Sequence, residues 1–95
     1  MYSEAKSPLA QKRNLVTAIP GPKSQALIER RKDAVSASLG MAMPVFIDRA
    51  DGAIILDVDG NSIIDLAAGI AVVNVGHGNS KVIENVKTQI DAFTH

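Results

Sequence analysis

The chain of 95 residues has no cysteine and no tryptophan, and its aromatic side chains are Tyr2, Phe46 and Phe93 alone. Without cysteine it can build neither a disulfide framework nor a thiolate metal site, which suits the cytosol. With so few rings, a core has to come from aliphatic side chains, and apolar residues make up 46% of the chain. Charge of one sign is missing too. Ten basic and ten acidic side chains cancel, so no basic field marks a nucleic-acid surface. The apolar stretch around Ala67–Val75 is too short, and too broken by Gly69 and Asn74, to span a bilayer. The start of the chain carries Glu4 and no apolar core of a secretory signal. The expectation is a soluble, cytoplasmic chain whose partners include neither nucleic acid nor membrane.

What is present falls into four parts. Residues 1–21 mix Ser, Ala, Lys and Gln with no sustained period and end in the rigid break Ile19-Pro20-Gly21-Pro22, so they read as a flexible arm. Residues 22–66 read as a helix plus a β-hairpin. Proline suits the first helical turn, so the helix starts near Pro22. Leu27, Ile28, Arg31, Ala34 and Val35 carry it at helical spacing to about Ser38, with Gly40 as its stop. Pro44–Asp48 reads as extended. Ala53–Val58 and Ser62–Leu66 then form the hairpin, with Asp59-Gly60 as a two-residue type I′ turn that sets Leu56 opposite Ile63. A turn on Gly60-Asn61 instead changes every partner. Residues 67–79 form a glycine-punctuated loop, and residues 80–95 a final helix. Asn79 or Ser80 caps that helix, and Val82, Ile83, Val86, Ile90 and Phe93 line one side of it.

Several motifs invite chemistry. Asp57-Val58-Asp59-Gly60-Asn61 looks like a calcium loop, but no register supplies both the glycine at position six and the glutamate at position twelve. Turn chemistry explains it better, and no metal ligands are assigned. The run Glu29-Arg30-Arg31-Lys32-Asp33 reads as a solvated helix face with local charge pairs rather than a phosphate site. Gly76-His77-Gly78 belongs to no nucleotide fingerprint, since neither G-x-G-x-x-G after a strand nor a P-loop occurs. His77 could serve as a general base near neutral pH. A lone histidine in an apolar, glycine-flanked loop is more often a hydrogen-bonded structural residue. Asp57 and Asp65 flank the hairpin and read as turn caps or backbone acceptors, so no catalytic residue is assigned.

The order of these residues resembles a known family. Asp57-Val58-Asp59-Gly60-Asn61, Ile64-Asp65-Leu66, Gly69-Ile70-Ala71-Val72 and Gly76-His77 are similar to the N-terminal part of class III aminotransferases. Ile19-Pro20-Gly21-Pro22-Lys23-Ser24 followed by Arg30-Arg31 looks most like the 4-aminobutyrate branch. The resemblance covers roughly residues 15–95. Two positions depart from it: Ser80 stands where many relatives have proline, and Ile63 where many have an aromatic residue.

The resemblance implies an α+β N-terminal segment (helix, hairpin, loop, helix) of a fold type I pyridoxal-phosphate α/β transferase. It implies transfer of an amino group from 4-aminobutyrate, or a similar ω-amino acid, to 2-oxoglutarate, giving succinate semialdehyde and glutamate. It also implies the cofactor pyridoxal 5'-phosphate and a homodimer. Residues 67–79 would then line the active site, and the last helix would lead into a large domain lying beyond this stretch. Within that loop Ile70 would place an aliphatic side chain against the substrate, and Gly69 would let the backbone approach closely. No cofactor-binding residue carries over. Neither Lys6, Lys12, Lys23, Lys32, Lys81 nor Lys87 sits in a Schiff-base context, so these residues alone are expected to be an inactive fragment. Other class III members acting on ornithine, acetylornithine or a diamine are the alternatives. From a different class comes a short non-enzymatic interaction module.

Overall fold

The computed structural model describes residues 8–95. Its elements run α1 (Pro22–Ala34), β1 (Ile47–Asp51), β2 (Ile54–Asp57), β3 (Ser62–Ile64), the single turn α2 (Ala68–Ala71) and α3 (Ser80–Ala92). The three strands form one antiparallel sheet in the order β1-β2-β3. This is a small α+β arrangement, as the residue pattern suggests, with one strand more than the expected hairpin. The two-residue turn Gly52-Ala53 joins β1 to β2, and Gly52 takes a φ of 57° there. Pairing shifts between Ile47 and Arg49, which leaves Asp48 as the extra residue of a bulge.

The central strand β2 carries the core. Ile54 and Ile55 are buried together with Val45. The hairpin turn differs from the expected one. Leu56 faces Ser62 and Ile55 faces Ile63, so neither anticipated register occurs. The loop has three residues rather than two: Asp57 N–H donates to Asn61 C=O at 3.0 Å and Gly60 N–H to Asp57 C=O at 3.1 Å. A type I′ turn needs positive φ at two positions, and within this loop only Gly60, at 88°, has it. The side chains explain the longer loop. Asp57 Oδ1 accepts from the N–H groups of Asp59 and Asn61, and its Oδ2 accepts from Asn61 Nδ2. Asp57 is thus the turn acceptor anticipated from its position.

Helix α1 begins at Pro22 as expected but stops at Ala34, not near Ser38, because Val35 has turned extended (φ −123°, ψ 137°). Downstream, the hydroxyls of Ser36 and Ser38 bond each other and Ser38 N–H, an alternative to helical pairing that serine readily takes. Lys32 Nζ meets Glu29 Oε1 at 2.6 Å on an exposed face, in line with the solvated reading of that charge run. The N-terminus of α1 is capped from the hairpin turn. Asp59 accepts from Lys23 N–H at 2.7 Å and from Ser24 N–H at 2.9 Å. Partial desolvation pushes the Asp59 carboxyl up, but these N–H donors outweigh it and hold the group below its usual range. A Cβ on Gly21 would lie 2.7 Å from Asp59 Oδ2, so this close approach requires glycine.

The described part of the expected flexible arm, residues 8–21, is tied to the sheet. Asn14 and Ser62 exchange both backbone hydrogen bonds, at 2.9 and 2.8 Å. Asn61 Oδ1 accepts from the N–H groups of Val16 and Thr17, while its Nδ2 donates to Thr17 Oγ1. Gln11 reaches the β1–β2 corner, donating to Asp51 C=O and accepting from Ala53 N–H. Side-chain acceptors on the hairpin thus hold this stretch, which backbone propensity alone would leave free. Residues 1–7 of the expected arm lie outside the described residues.

Beyond the sheet, apolar groups find little cover. Leu66 is 93% exposed, and Val72, Val75, Val82, Val86, Ile90 and Phe93 are exposed as well. The radius of gyration is 15.3 Å, against about 13 Å for a compact 100-residue domain.

Candidate functional site

The stretch between β3 and α3 is built around one carboxylate. Asp65 closes the hairpin by donating its N–H to Ala53 C=O at 2.9 Å. Its Oδ2 accepts from Gly69 N–H at 2.9 Å and contacts His77 Nε2 at 2.7 Å. The histidine and the Gly69 N–H hold the Asp65 carboxyl below its ordinary value, against the opposing effect of partial burial. Ionised, Asp65 can only accept, so His77 Nε2 carries the proton and donates. His77 is therefore hydrogen-bonded, as expected, and Asp65 is a backbone acceptor, as expected.

The backbone of His77 exchanges hydrogen bonds with Gly52 at 2.9 and 2.8 Å, which joins the loop to the β1–β2 turn. Gly76 lies tight against that turn: a Cβ there would sit 3.3 Å from Gly52 C=O. Gly52, Ala53, Asp65, Ala68, Val73, Gly76 and His77 enclose a cleft of about 220 Å³.

Between the two anchors the chain makes a left-handed turn. Ala68, Gly69, Ile70 and Ala71 have φ of 51, 61, 62 and 60°. Ala71 N–H donates to Ala67 C=O, and the N–H groups of Val72 and Val73 both reach Ala68 C=O. Residues with a Cβ avoid this region at a cost of roughly 1–2 kcal/mol each, and a β-branched residue there is a genuine outlier. Only Gly69 is suited to it. Of the residues expected to meet substrate, Gly69 is fixed by Asp65, while Ile70 stands at the crest of the turn, 82% exposed.

Helix α3 starts where expected, with Asn79 Oδ1 accepting from Val82 N–H at 3.2 Å, and it ends at Ala92. Its apolar stripe continues the surface of Val72, Val73 and Val75 into a groove with Val82 and Ile83. No helix among the described residues is long and apolar enough to cross a membrane.

Residues 35–95 match the family model for aminotransferase class III. This chain belongs to the class III aminotransferases. A 4-aminobutyrate aminotransferase of Mycobacterium tuberculosis is 54% identical over 87 residues, covering 92% of this chain and 19% of its own length. A 5-aminovalerate aminotransferase of Pseudomonas putida is 39% identical over 72 residues, covering 76% of this chain and 17% of its own. An alanine/serine racemase of Pyrococcus horikoshii is 38% identical over 82 residues, covering 85% and 17%. The chain thus spans about a fifth of the length of the curated relatives it matches.

The described residues of this class III chain do not by themselves fit a pyridoxal-phosphate site. Lys12, Lys23, Lys32, Lys81 and Lys87 are all exposed, and none borders the cleft beside His77. Residue-by-residue reasoning missed the Asp65–His77 contact, the left-handed run and the Gly52 anchor. The one sequence signal for them is the alternation of glycine with Asp65 and His77, which names the participants but not their pairing.

Proposed function

We propose that this chain is the N-terminal part of a pyridoxal-phosphate-dependent ω-amino acid aminotransferase of fold type I. The intact enzyme moves the amino group of 4-aminobutyrate to 2-oxoglutarate, giving succinate semialdehyde and glutamate. Within it, residues 67–79 form a dry, substrate-side wall, with Ile70 as the contacting side chain and Gly69 as the point of close backbone approach. The observation that carries this reading is the strained turn 68–71, which holds a bare aliphatic side chain outward. Strain of this kind gathers at sites of function, and an exposed Ile70 has no packing role within the chain. Ile70 would shape the pocket and exclude water without moving a proton.

The cofactor supplies the electron sink for the transfer. Its lysine, phosphate cradle and pyridine partner would come from residues other than those described here, so the 95 residues alone leave the substrates unchanged. A homodimer in the cytoplasm completes the reading, as the family resemblance implies. The 5-aminovalerate and racemase relatives favour one second reading, in which the segment serves several class III reactions and leaves the choice of donor to other parts.

A chimera tests the first reading. The matching stretch of the M. tuberculosis 4-aminobutyrate aminotransferase is replaced by that of this chain, and transfer from 4-aminobutyrate and 5-aminovalerate to 2-oxoglutarate is measured beside alanine racemisation. Retained preference for 4-aminobutyrate is the expected result. A shift to 5-aminovalerate would overturn the donor assignment, and loss of all transfer with cofactor still bound would overturn the wall.

A further inference from the structure

One carboxylate oxygen links the sheet to the left-handed turn. Asp65 Oδ2 takes a hydrogen bond from Gly69 N–H and another from His77 Nε2. His77 is itself fastened to Gly52 by two backbone bonds. A continuous path therefore runs from the β1–β2 turn through His77 and Asp65 to residue 69, immediately before Ile70. The turn it reaches is one that Ala68, Ile70 and Ala71 resist on steric grounds. Such a conformation persists only where its surroundings over-determine it, and here the side-chain part of that constraint comes from Asp65.

We infer that Asp65 and His77 form a positioning pair, which sets the left-handed turn and with it the place of Ile70 against the substrate. This inference rests on the reading of Ile70 as a substrate contact. The pair itself is largely covered. The Asp65 side chain is 7% exposed and that of His77 20%, and the ring nitrogen that His77 turns inward is already engaged by Asp65. The task assigned to the pair is positioning. Its effect is to keep the aliphatic wall at one distance from the donor, and a loosened wall shows as weaker donor binding.

The test uses the M. tuberculosis chimera as holoenzyme. In His77→Ala the KM for 4-aminobutyrate rises about tenfold, the scale of one lost charge-assisted hydrogen bond, while kcat per bound cofactor changes by less than about twofold. His77→Gln, whose amide N–H can still donate to Asp65, recovers most of that loss. A merely structural role would lower the yield of holoenzyme and leave the KM of what remains unchanged, and that outcome overturns the inference. If His77→Ala does not accumulate, Asp65→Asn decides. It keeps an accepting oxygen without the charge, so the KM rises about threefold; an unchanged KM overturns the inference. Ile70→Glu separates the two levels. An unchanged KM in Ile70→Glu removes the substrate wall and the positioning pair together. A raised KM there, with normal values in His77→Ala and Asp65→Asn, removes the positioning pair alone.

Discussion

Replacing Asn61 with alanine should release the N-terminal stretch from the sheet. Asn61 is fully buried, at 0% exposure, and its carboxamide has every hydrogen-bonding capacity filled. Oδ1 accepts from Val16 N–H at 2.8 Å and Thr17 N–H at 2.9 Å; Nδ2 donates to Thr17 Oγ1 at 2.8 Å and Asp57 Oδ2 at 2.9 Å. The three neutral bonds contribute about 1 kcal/mol each and the one to a carboxylate about 1.5–3 kcal/mol. The bonds to the arm are half-buried, so water recovers part of the loss, and about 3–4 kcal/mol remains. At about 1.4 kcal/mol per decade, protection of the Val16 and Thr17 amides against hydrogen exchange should fall by a factor of about 10²–10³. Amide exchange of the chimera, followed by mass spectrometry on peptides covering Val16 and Thr17, reads this directly. Asn61→Asp sharpens the test: it keeps the oxygen facing the arm but sets a second carboxylate oxygen against Asp57, so it too should deprotect both amides. Unaltered exchange in Asn61→Ala, or wild-type exchange with no protection at these two amides, would refute the anchoring role.

Other outcomes follow from the same contacts. Gly21→Ala places a Cβ 2.7 Å from Asp59 Oδ2, so it should displace the cap and fray the first turn of α1; slower exchange at Lys23 and Ser24 than in Asp59→Ala would count against this. Ile54, 1% exposed on the central strand, should cost about 2–5 kcal/mol when cut to alanine, measured by denaturant unfolding of the chimera; a loss under about 1 kcal/mol would mean that β2 is not the core. Asp59 and Asp65 both have carboxyls held below their ordinary value. Their contribution is therefore complete above the unfolded value near 3.9 and is lost as pH falls through the lower folded values. An acid titration of α1 helicity and of the His77 ring signals should show both contacts failing below about pH 4; loss of either between pH 5 and 6 would contradict the assignment.

The parts of the fold legible in the sequence were those set by neighbours a few residues apart. Pro22 marks the start of α1 and Asn79 that of α3 because each acts within its own first turn. The hairpin was visible in Asp57–Leu66, yet its register was not. The three-residue loop depends on Asp57 reaching Asn61 with both main chain and side chain, a choice that propensity for Asp-Gly turns does not encode. The end of α1 is hidden for a similar reason, since Gly40 offers a stop but the serines ahead of it compete earlier. At the candidate site, Gly69, Ile70 and His77 could be named from a family resemblance. The left-handed φ of Ala68, Ile70 and Ala71 could not, because those residue types argue against it, and Asp65, which holds Gly69, is itself fixed by His77, a partner brought to it only by folding.

The pairing of Asn14 with Ser62 covers part of the outer edge of β3. An uncovered edge offers its N–H and C=O groups to strands of other molecules, and Ile63 and Ile64, which follow Ser62, would make that edge adhesive. A version of this chain beginning after residue 17 would lose both Asn14 and the two amides that Asn61 holds. Self-association through β3 is the failure expected of such a version, because the backbone pairing at Ser62 that now occupies part of the edge would be gone.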